Sequence, residues 1–370
     1  MIILSGRITA LEPLHIGNGI TVGTFVQTLS YIPARSIRGM LGNYLFNQKR
    51  DLFEALRIDD DREPQLYFKP SLPLGSVAAP LAFRWCKKCN RLLAVGECPN
   101  DFHEGEKRGG FMLRSSLETK EFKPVRISKS INTKCPINAQ RHASYAEDEE
   151  RSPYNIESVV AGTTSPHSEP TPLRLSPYNI ESVVAGTAFD FRLVLPEEFL
   201  KEVKDALVEA GVFYKIGGFR SRGYGMIKFD FEGTESVSDF VKRRSQEIQR
   251  DSWMVFNSPA VFQRNGSSRY LIGLTSEILK PYLSAIAKRA GIGSLGEIEV
   301  RHSSYKQTHV RGWKIAGKYY LDRILPAVDL GSTARLEIDP EVAAWLEVFG
   351  IGEMPHINGD VYFLCAGESM

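Results

Sequence analysis

Nine residues, GGFRSRGYG at positions 217–225, constrain this chain more than any other segment of its sequence. Four of the nine are glycines, which permit left-handed backbone angles and let backbone N–H groups come close to a ligand. Arg220 and Arg222 carry guanidinium groups that bind phosphate in a bidentate manner, and Lys215 adds a third positive charge. The segment therefore predicts a loop that binds phosphate or RNA. The alternative is a hairpin whose arginines are incidental.

The segments on both sides of this loop exclude two common nucleotide-binding motifs. Residues 196–210 (PEEFLKEVKDALVEA) predict a helix that ends at Gly211, GVFYKI predicts a strand, and MIKFDF after the loop predicts another strand. A mononucleotide P-loop or a dinucleotide fingerprint would lead into a helix, and no GK[ST] follows the glycines. Phe219 and Tyr224 instead offer rings on which the bases of single-stranded RNA can stack.

The overall charge of the chain excludes a global field that attracts polyanions. The 370 residues include 46 Lys and Arg and 44 Asp and Glu, so the net charge is +2. Nucleic acid would therefore have to bind at local basic patches. No apolar run reaches the length of about 18 residues that a membrane span needs, and the first residues indicate a strand rather than a signal peptide. We expect a cytoplasmic protein with no membrane partner.

The pattern of short strands and isolated helices predicts an α+β fold. Strands and helices do not alternate regularly, and the chain is long enough for more than one domain. We expect two ferredoxin-like (RRM-like) units, one over 1–233 and one over 253–370, with a linker helix over 234–252. Long polar loops are expected within 104–150. Ser36 is the expected N-cap of the first helix.

A twelve-residue sequence occurs twice without a single change. SPYNIESVVAGT stands at 152–163 and again at 176–187, so the duplicated region covers about 151–187. The intervening TSPHSEPTPLRL is rich in Pro, Ser and Thr and is typical of a loop. We expect the second copy to be a sheet strand because it continues directly into AFDFRLVL. The first copy would be an appended loop or an extra strand.

Three of the five cysteines lie in one short segment and predict a structural Zn²⁺ site. An odd number of cysteines fits a disulfide framework poorly, whereas two thiolates separated by two residues are typical of a zinc knuckle. The expected ligands, in an insertion over 84–108, are Cys86, Cys89, Cys98 and His103. Cys135 or His142 is the alternative fourth ligand, and a set of buried thiols without metal is the other alternative. Four protein ligands would leave no open position for catalysis.

Four motifs in sequence order resemble the CRISPR-associated RAMP superfamily. LEPLHIGNG at 11–19 resembles its first-strand segment, YIPARSIRGML at 31–41 its entry into the first helix, and SPYNIESVVAGTAFDF at 176–191 a later strand. The glycine-rich loop resembles the signature loop of the superfamily. Residues 311–338 resemble the subunit that caps the 5′ end of the guide RNA in type III effectors, especially in the type III-D form.

The resemblance implies a non-catalytic subunit of an RNA-guided type III effector, built from two RAMP units. Such a subunit binds the repeat-derived 5′ tag of the guide RNA (crRNA), caps the backbone, and contacts RAMP backbone subunits and the large signalling subunit. Ser36 and the first N–H groups of its helix would form a seat for a phosphate. The residues expected to bind RNA are His15, Gly17, Arg35, Ser36, Arg38, Lys215, Gly217, Gly218, Arg220, Arg222, Gly223 and Gly225.

Cleavage of target RNA is not expected. Target-cleaving members of the superfamily carry an aspartate before the later strand, and Ser128 stands at the comparable position here. Two other functions stay open. One is an endoribonuclease that processes guide-RNA precursors, with His15 as general acid or base for attack by a 2′-hydroxyl group. The other is a zinc-stabilised protein–protein scaffold subunit with no RNA contact of its own.

Overall fold

The computed structural model describes residues 1–22, 25–58, 64–86, 91–94, 106–107, 110–114, 123–134, 178–263, 269–293, 298–310 and 324–365. Within these residues the chain forms 22 strands and six α-helices. Among those helices, none has both the length and the apolar character that a membrane crossing requires.

The α-helices are α1 (Ala34–Gln48), α2 (Arg50–Ala55), α3 (Leu200–Phe213), α4 (Val237–Glu247), α5 (Ser276–Arg289) and α6 (Pro340–Phe349). The first strands are β1 (Ile2–Ala10), β2 (Gly17–Val22), β3 (Phe25–Thr28), β4 (Tyr67–Phe68), β5 (Ser76–Ala78), β6 (Phe83–Cys86), β7 (Arg91–Ala94), β8 (Glu106–Lys107), β9 (Phe111–Leu113), β10 (Pro124–Val125) and β11 (Lys129–Lys134). The remaining strands are β12 (Tyr178–Val183), β13 (Ala188–Leu195), β14 (Ile227–Ser236), β15 (Asp251–Phe256), β16 (Phe262–Gln263), β17 (Tyr270–Leu271), β18 (Val300–Ser304), β19 (Gln307–Val310), β20 (Leu325–Val328), β21 (Thr333–Glu337) and β22 (Val361–Cys365).

The first main sheet has the strand order β14-β1-β13-β4, and all neighbouring strands are antiparallel. Along the chain its elements follow as β1, α1, β4, β13, α3 and β14, which is the βαββαβ arrangement of the ferredoxin-like fold. Alternate residues of β1, including Leu4 and Ile8, are fully buried in one core with Leu41 of α1 and Leu207 of α3. Both helices therefore cover the same face of this sheet.

The second main sheet repeats this arrangement with the strand order β18-β21-β15-β22. Its strands are antiparallel, and the chain order is β15, α5, β18, β21, α6 and β22. The α+β class expected from the composition and periodicity is therefore confirmed.

One apolar core joins the two sheets. Ile3 and Val194, on the face of the first sheet that helices α1 and α3 leave open, belong to the same buried cluster as Met254 and Phe256 of β15. Helix α4, which the sequence predicts as a linker, contributes Phe240 to this cluster, along with two other buried residues. Because its apolar face is buried, α4 is a packed element rather than a spacer.

The second copy of the duplicated sequence forms strand β12, as expected. This strand pairs antiparallel with β11 and parallel with β3. Its Ile180 is fully buried, and Val183 exchanges backbone hydrogen bonds of 2.8 and 3.0 Å with Leu14. The first copy, at 152–163, lies outside the described residues.

Two local expectations are wrong. Helix α3 does not end at Gly211 but continues to Phe213, so GVFYKI does not form a strand. Gly211 is accommodated because it lets the helix approach β14, where a β-carbon at this position would lie 2.7 Å from the carbonyl oxygen of Ile227. Ser36 is not the N-cap of α1, because extended backbone at Pro33 starts the helix earlier and the Ser36 N–H donates to the Pro33 carbonyl at 2.9 Å.

Candidate nucleic-acid interface

The glycine-rich loop lies between α3 and β14 and is held by backbone hydrogen bonds. Gly218 N–H donates to the carbonyl of His15 at 2.8 Å, and Gly225 N–H donates to the carbonyl of Pro13 at 3.1 Å. Ile216 N–H closes the base of the loop on the Gly225 carbonyl at 2.8 Å. These bonds attach the loop to the segment that follows β1, so its backbone shape is set before any ligand binds.

Gly217 and Gly225 are the positions where this attachment requires glycine. Their φ angles are +80° and +97°, which side chains rarely adopt. A β-carbon at 217 would overlap the carbonyl oxygen of His15, and one at 225 would overlap that of Ile216. Gly223 also has a positive φ, of +81°, but open space surrounds the place of its missing β-carbon.

The tip of the loop presents two arginines to solvent. Phe219 has a left-handed backbone, with φ of +56°, and leads into a 3₁₀ turn over Arg220–Arg222. The side chains of Arg220 and Arg222 are exposed. Arg220 donates one hydrogen bond to the carbonyl of Tyr214 at 3.1 Å, while the Arg222 guanidinium lies 5.7 Å from the centre of the Phe219 ring. Both guanidinium groups therefore project from a shaped turn at the surface.

Lys215 is engaged by an acid that the sequence analysis did not single out. Its ammonium group donates to both carboxylate oxygens of Glu12, at 2.9 and 2.8 Å, and Glu12 also accepts from Met226 N–H at 3.2 Å. This ion pair fastens the base of the loop and compensates the charge of Lys215. No local sequence signal points to Glu12, because its partner Lys215 lies 203 residues further along the chain.

The aromatic residues of the loop differ in their exposure. Tyr224 is only 4% exposed, so the expectation that its ring stacks on bases is wrong. Phe219 is half-buried, with its ring centre 5.0 Å from that of His15. Phe213 is 74% exposed at the end of α3, next to Tyr214, whose carbonyl binds Arg220. The exposure of Phe213 at a helix end could not be expected from the sequence, because GVFYKI predicts a strand there.

His15 lies beneath the loop and supports it. Its ring is 4% exposed, and Nδ1 lies 2.7 Å from the carbonyl oxygen of Glu181. A carbonyl only accepts hydrogen bonds, so Nδ1 donates this bond and carries a proton. Nε2 faces Gly17, where a β-carbon would lie 3.7 Å away, and the ring also underlies Gly218. The structure thus brings His15 and Gly17 together with the loop.

Three expected residues lie at the start of α1. Burial lowers the pKa of Arg35, which lies near Tyr31, and Arg38 Nε donates to the carbonyl of Ile58 at 2.8 Å. Ile32, just before α1, pairs with Ser71 beyond β4. Arg35 and Arg38 are thus engaged within the protein, and their contact with RNA, like that of Ser36, stays a prediction.

The cysteine-rich segment is described only in part. Cys86 is buried at the end of β6, where it pairs with Arg91 of β7 across a hairpin, and β8 returns so that Glu106 pairs with Trp85. Cys89, Cys98 and His103 lie outside the described residues. The pairing places Cys86 and Glu106, which follows His103 by three residues, in one small sheet.

The chain belongs to the RAMP superfamily. The family model matches residues 7–228, which is more than half of the chain and extends from β1 into β14. This range contains the glycine-rich loop together with Pro13, His15 and Tyr214, to which the loop donates hydrogen bonds.

Solved structures that resemble the chain share little sequence with it. One, from the type III-B Cmr-beta complex bound to cognate target RNA, is 15% identical with a TM-score of 0.33, over 63% of this chain and 60% of that one. A Cas6 product complex is 10% identical with a TM-score of 0.41, over 98% and 99% of the two chains. A Cas6-related protein from Pyrococcus furiosus is 11% identical with a TM-score of 0.39, over 99% and 100%. No curated protein matches the chain.

Proposed function

We propose that this chain is a non-catalytic RNA-binding subunit of a type III CRISPR effector, in which the glycine-rich loop holds the 5′ tag of the guide RNA. The observation that carries the proposal is the exposure of Arg220 and Arg222 on a turn whose backbone is already tied to the sheet. Because the turn is preorganised, little backbone freedom is lost when the guanidinium groups bind phosphates. Membership of the RAMP superfamily supports the same proposal.

Residues 311–338 resemble the type III-D subunit that caps the 5′ end of the guide RNA, and the proposed assembly places this chain in that position. The chain would contact RAMP backbone subunits and the large signalling subunit in the cytoplasm, through its two RAMP units over 1–233 and 253–370. The two sheets of identical strand order support this division.

Binding of a tag-bearing RNA to the full chain tests the role of the loop. We expect R220A/R222A to bind at least about tenfold more weakly, because charged hydrogen bonds to phosphate are lost. The slope of the logarithm of the binding constant against the logarithm of the salt concentration should also become shallower by about one for each arginine removed. The control is K201A/K242A, which removes the same charge from exposed positions elsewhere.

Fluorescence anisotropy at several salt concentrations measures both quantities. Equal weakening in the control would show that charge alone matters and would contradict the role of the loop. A wild-type chain that binds no RNA would favour the scaffold function instead.

Cleavage of guide-RNA precursors is the second candidate function. The observation in its favour is the position of His15 Nε2, which faces the backbone at Gly17. The burial of the ring beneath the loop favours a supporting role instead. We expect repeat RNA to stay intact in the presence of the wild-type chain. Cleavage that is lost in His15→Gln would assign the nuclease function.

We also propose that the insertion over 84–108 holds a structural Zn²⁺ with Cys86, Cys89, Cys98 and His103 as ligands. The three-stranded pairing of β6 with β7 and β8 supports it, because it returns Glu106, three residues after His103, to Trp85, next to Cys86.

Metal analysis of the purified chain tests the zinc proposal. We expect about one zinc per chain, lost in Cys89→Ser and retained in Cys365→Ser, because a structural site needs all four of its ligands. The control residue is an exposed thiol at the end of β22. Zinc-free protein, or zinc that persists in Cys89→Ser, would contradict the assignment.

A further inference from the structure

A polar cavity of about 240 Å³ lies between the two main sheets, away from the glycine-rich loop. On one side it is lined by Ser5 of β1 and by Asp190 and Arg192 of β13, on the sheet face that α1 and α3 do not cover. On the other side it is lined by Asn257 and Asp360 of the second unit. The cavity therefore exists only where the two units meet.

The acidic groups of this cavity already have partners. Asp360 has Lys69 Nζ 2.7 Å from one carboxylate oxygen and accepts a hydrogen bond from Asn257 Nδ2 at 3.2 Å on the other. Asp190 accepts from Gly75 N–H at 2.8 Å. These acceptors are occupied within the protein and need no cation from outside.

Several donors at the cavity have unused capacity. Ser76 Oγ is buried and has no hydrogen-bond partner among the described residues. Lys69 Nζ is equally buried and pairs with Asp360 at 2.7 Å, which leaves two of its three N–H groups for another acceptor. The Arg192 guanidinium lies 5.5 Å from the centre of the Phe240 ring, a contact that uses none of its N–H groups. A ligand that fills this space must therefore supply acceptors.

Two guanidinium groups share the cavity with three carboxylates. Burial is the main cause that lowers the pKa of Arg192, and the nearby charge of Arg114 lowers it further, whereas the charges of Asp360, Glu347 and Asp190 raise it. The third acid at the rim, Glu232, is largely exposed and has Arg7 as its ion-pair partner at 3.7 Å. An anion bound beside both guanidinium groups would add favourable charge interactions in this partly buried space.

We propose that this cavity binds a phosphate group, held by Arg114, Arg192 and Ser76 in front of the ammonium group of Lys69. A phosphate offers only acceptors and negative charge, which matches the unused donors. The group belongs either to an RNA strand or to a small phosphorylated molecule. The site shares no residue with the glycine-rich loop, so it can be tested whether or not the loop binds RNA.

Isothermal titration calorimetry of the full chain with pyrophosphate tests the site. We expect R114Q and R192Q each to weaken pyrophosphate binding about tenfold, since each removes a charged hydrogen-bond donor. Arg114 is exposed at the mouth of the cavity, so R114Q should fold normally even if R192Q does not. The matched control is K228Q, which removes one cation from the same sheet without altering the cavity lining. Its affinity should stay at the wild-type value.

A second arm identifies the source of the phosphate. If R114Q also weakens binding of RNA, and pyrophosphate competes with that RNA, the phosphate belongs to the RNA strand. If R114Q leaves RNA affinity unchanged while pyrophosphate binding falls, the ligand is a small molecule. R220A/R222A should keep pyrophosphate binding in either case, which separates this site from the proposed function of the loop. A wild-type chain that does not bind pyrophosphate, or R114Q and K228Q that bind it equally well, would overturn the proposal.

Discussion

At the scale of single residues, the glycines of the loop have two different roles. Gly217 and Gly225 have positive φ angles and also leave no room for a β-carbon, because backbone atoms of neighbouring residues occupy that space. Gly223 has a similar φ angle in open surroundings. Conformational freedom is thus common to all three, whereas close packing distinguishes the first two.

A matched pair of substitutions separates these roles. Gly223→Ala should lower the free energy of unfolding by about 1 kcal/mol, the cost of left-handed backbone for an L-residue. Gly217→Ala should cost at least about 1–3 kcal/mol more, because the carbonyl of His15 must also move. Urea denaturation of both variants gives the comparison. Equal losses would show that the loop shifts freely and is not tied to the segment after β1.

His15 illustrates how far sequence reasoning extends at this scale. The sequence placed it near the glycine-rich loop through the resemblance of 11–19, and the structure brings the two together. Its hydrogen bond to Glu181 joins residues 166 positions apart, which no local pattern predicts. That bond orients the ring so that Nε2 faces Gly17.

At the scale of elements, strand β12 raises the question of how one of two identical sequences is selected. The second copy ends with Gly186 and Thr187, where the φ of +87° at Gly186 turns the chain directly into β13. Gly186 N–H donates to the Ala10 carbonyl at 2.7 Å, and Ala10 N–H donates to the Thr187 carbonyl at 2.9 Å. These bonds hold the connection between β12 and β13 at the end of β1. The first copy has the same letters but no adjacent β13.

The same substitution in both copies tests this selection. Ile180→Asp should destabilise the chain by about 3 kcal/mol or more, because it buries a charge at a fully buried position. Ile156→Asp, the equivalent change in the first copy, should leave the thermal midpoint within about 2 °C of wild type. Thermal unfolding by circular dichroism compares the two. Similar midpoints for both variants would mean that either copy can form the strand.

At the scale of the whole molecule, the two sheets form one cooperative unit. The guanidinium group of Arg289, in α5, lies over the rings of Tyr67 and Phe349, at 5.1 and 4.0 Å from their centres, and donates to the Tyr67 hydroxyl at 2.5 Å. Val194 of the first sheet packs in the same core as the strands of the second. Because neither sheet buries this face alone, we expect both to unfold in a single transition.

Val194→Asp tests this cooperativity. It should lower the unfolding midpoint seen by far-ultraviolet circular dichroism and by tryptophan fluorescence to the same extent, because Trp253 reports on the second sheet. The loss should be about 3 kcal/mol or more, as for a charge placed in a core. Thr9→Asp, on the same face of the first sheet but outside the shared core, should have little effect. Two separate transitions in the Val194 variant would show that the units are independent.

The sequence alone determined the features that depend on neighbours along the chain. The alternation in β1, the apolar stripe of α3 and the exposed arginines of the loop follow from local periodicity and residue chemistry, and each is present in the structure. Local patterns were less reliable where packing decides the outcome. Gly211 resembles a helix stop but instead allows α3 to approach β14.

Only the tertiary structure decided which charges pair with each other and which lie at the surface. Lys215 and Glu12 stand 203 positions apart, and the sheet order that places β14 beside β1 brings them within 2.8 Å. The same packing leaves Arg220 and Arg222 at the surface and encloses Arg192 between the two sheets. The physical reason is that an ion pair acts over a few ångströms. Long-range strand pairing, rather than local sequence, determines which residues come that close.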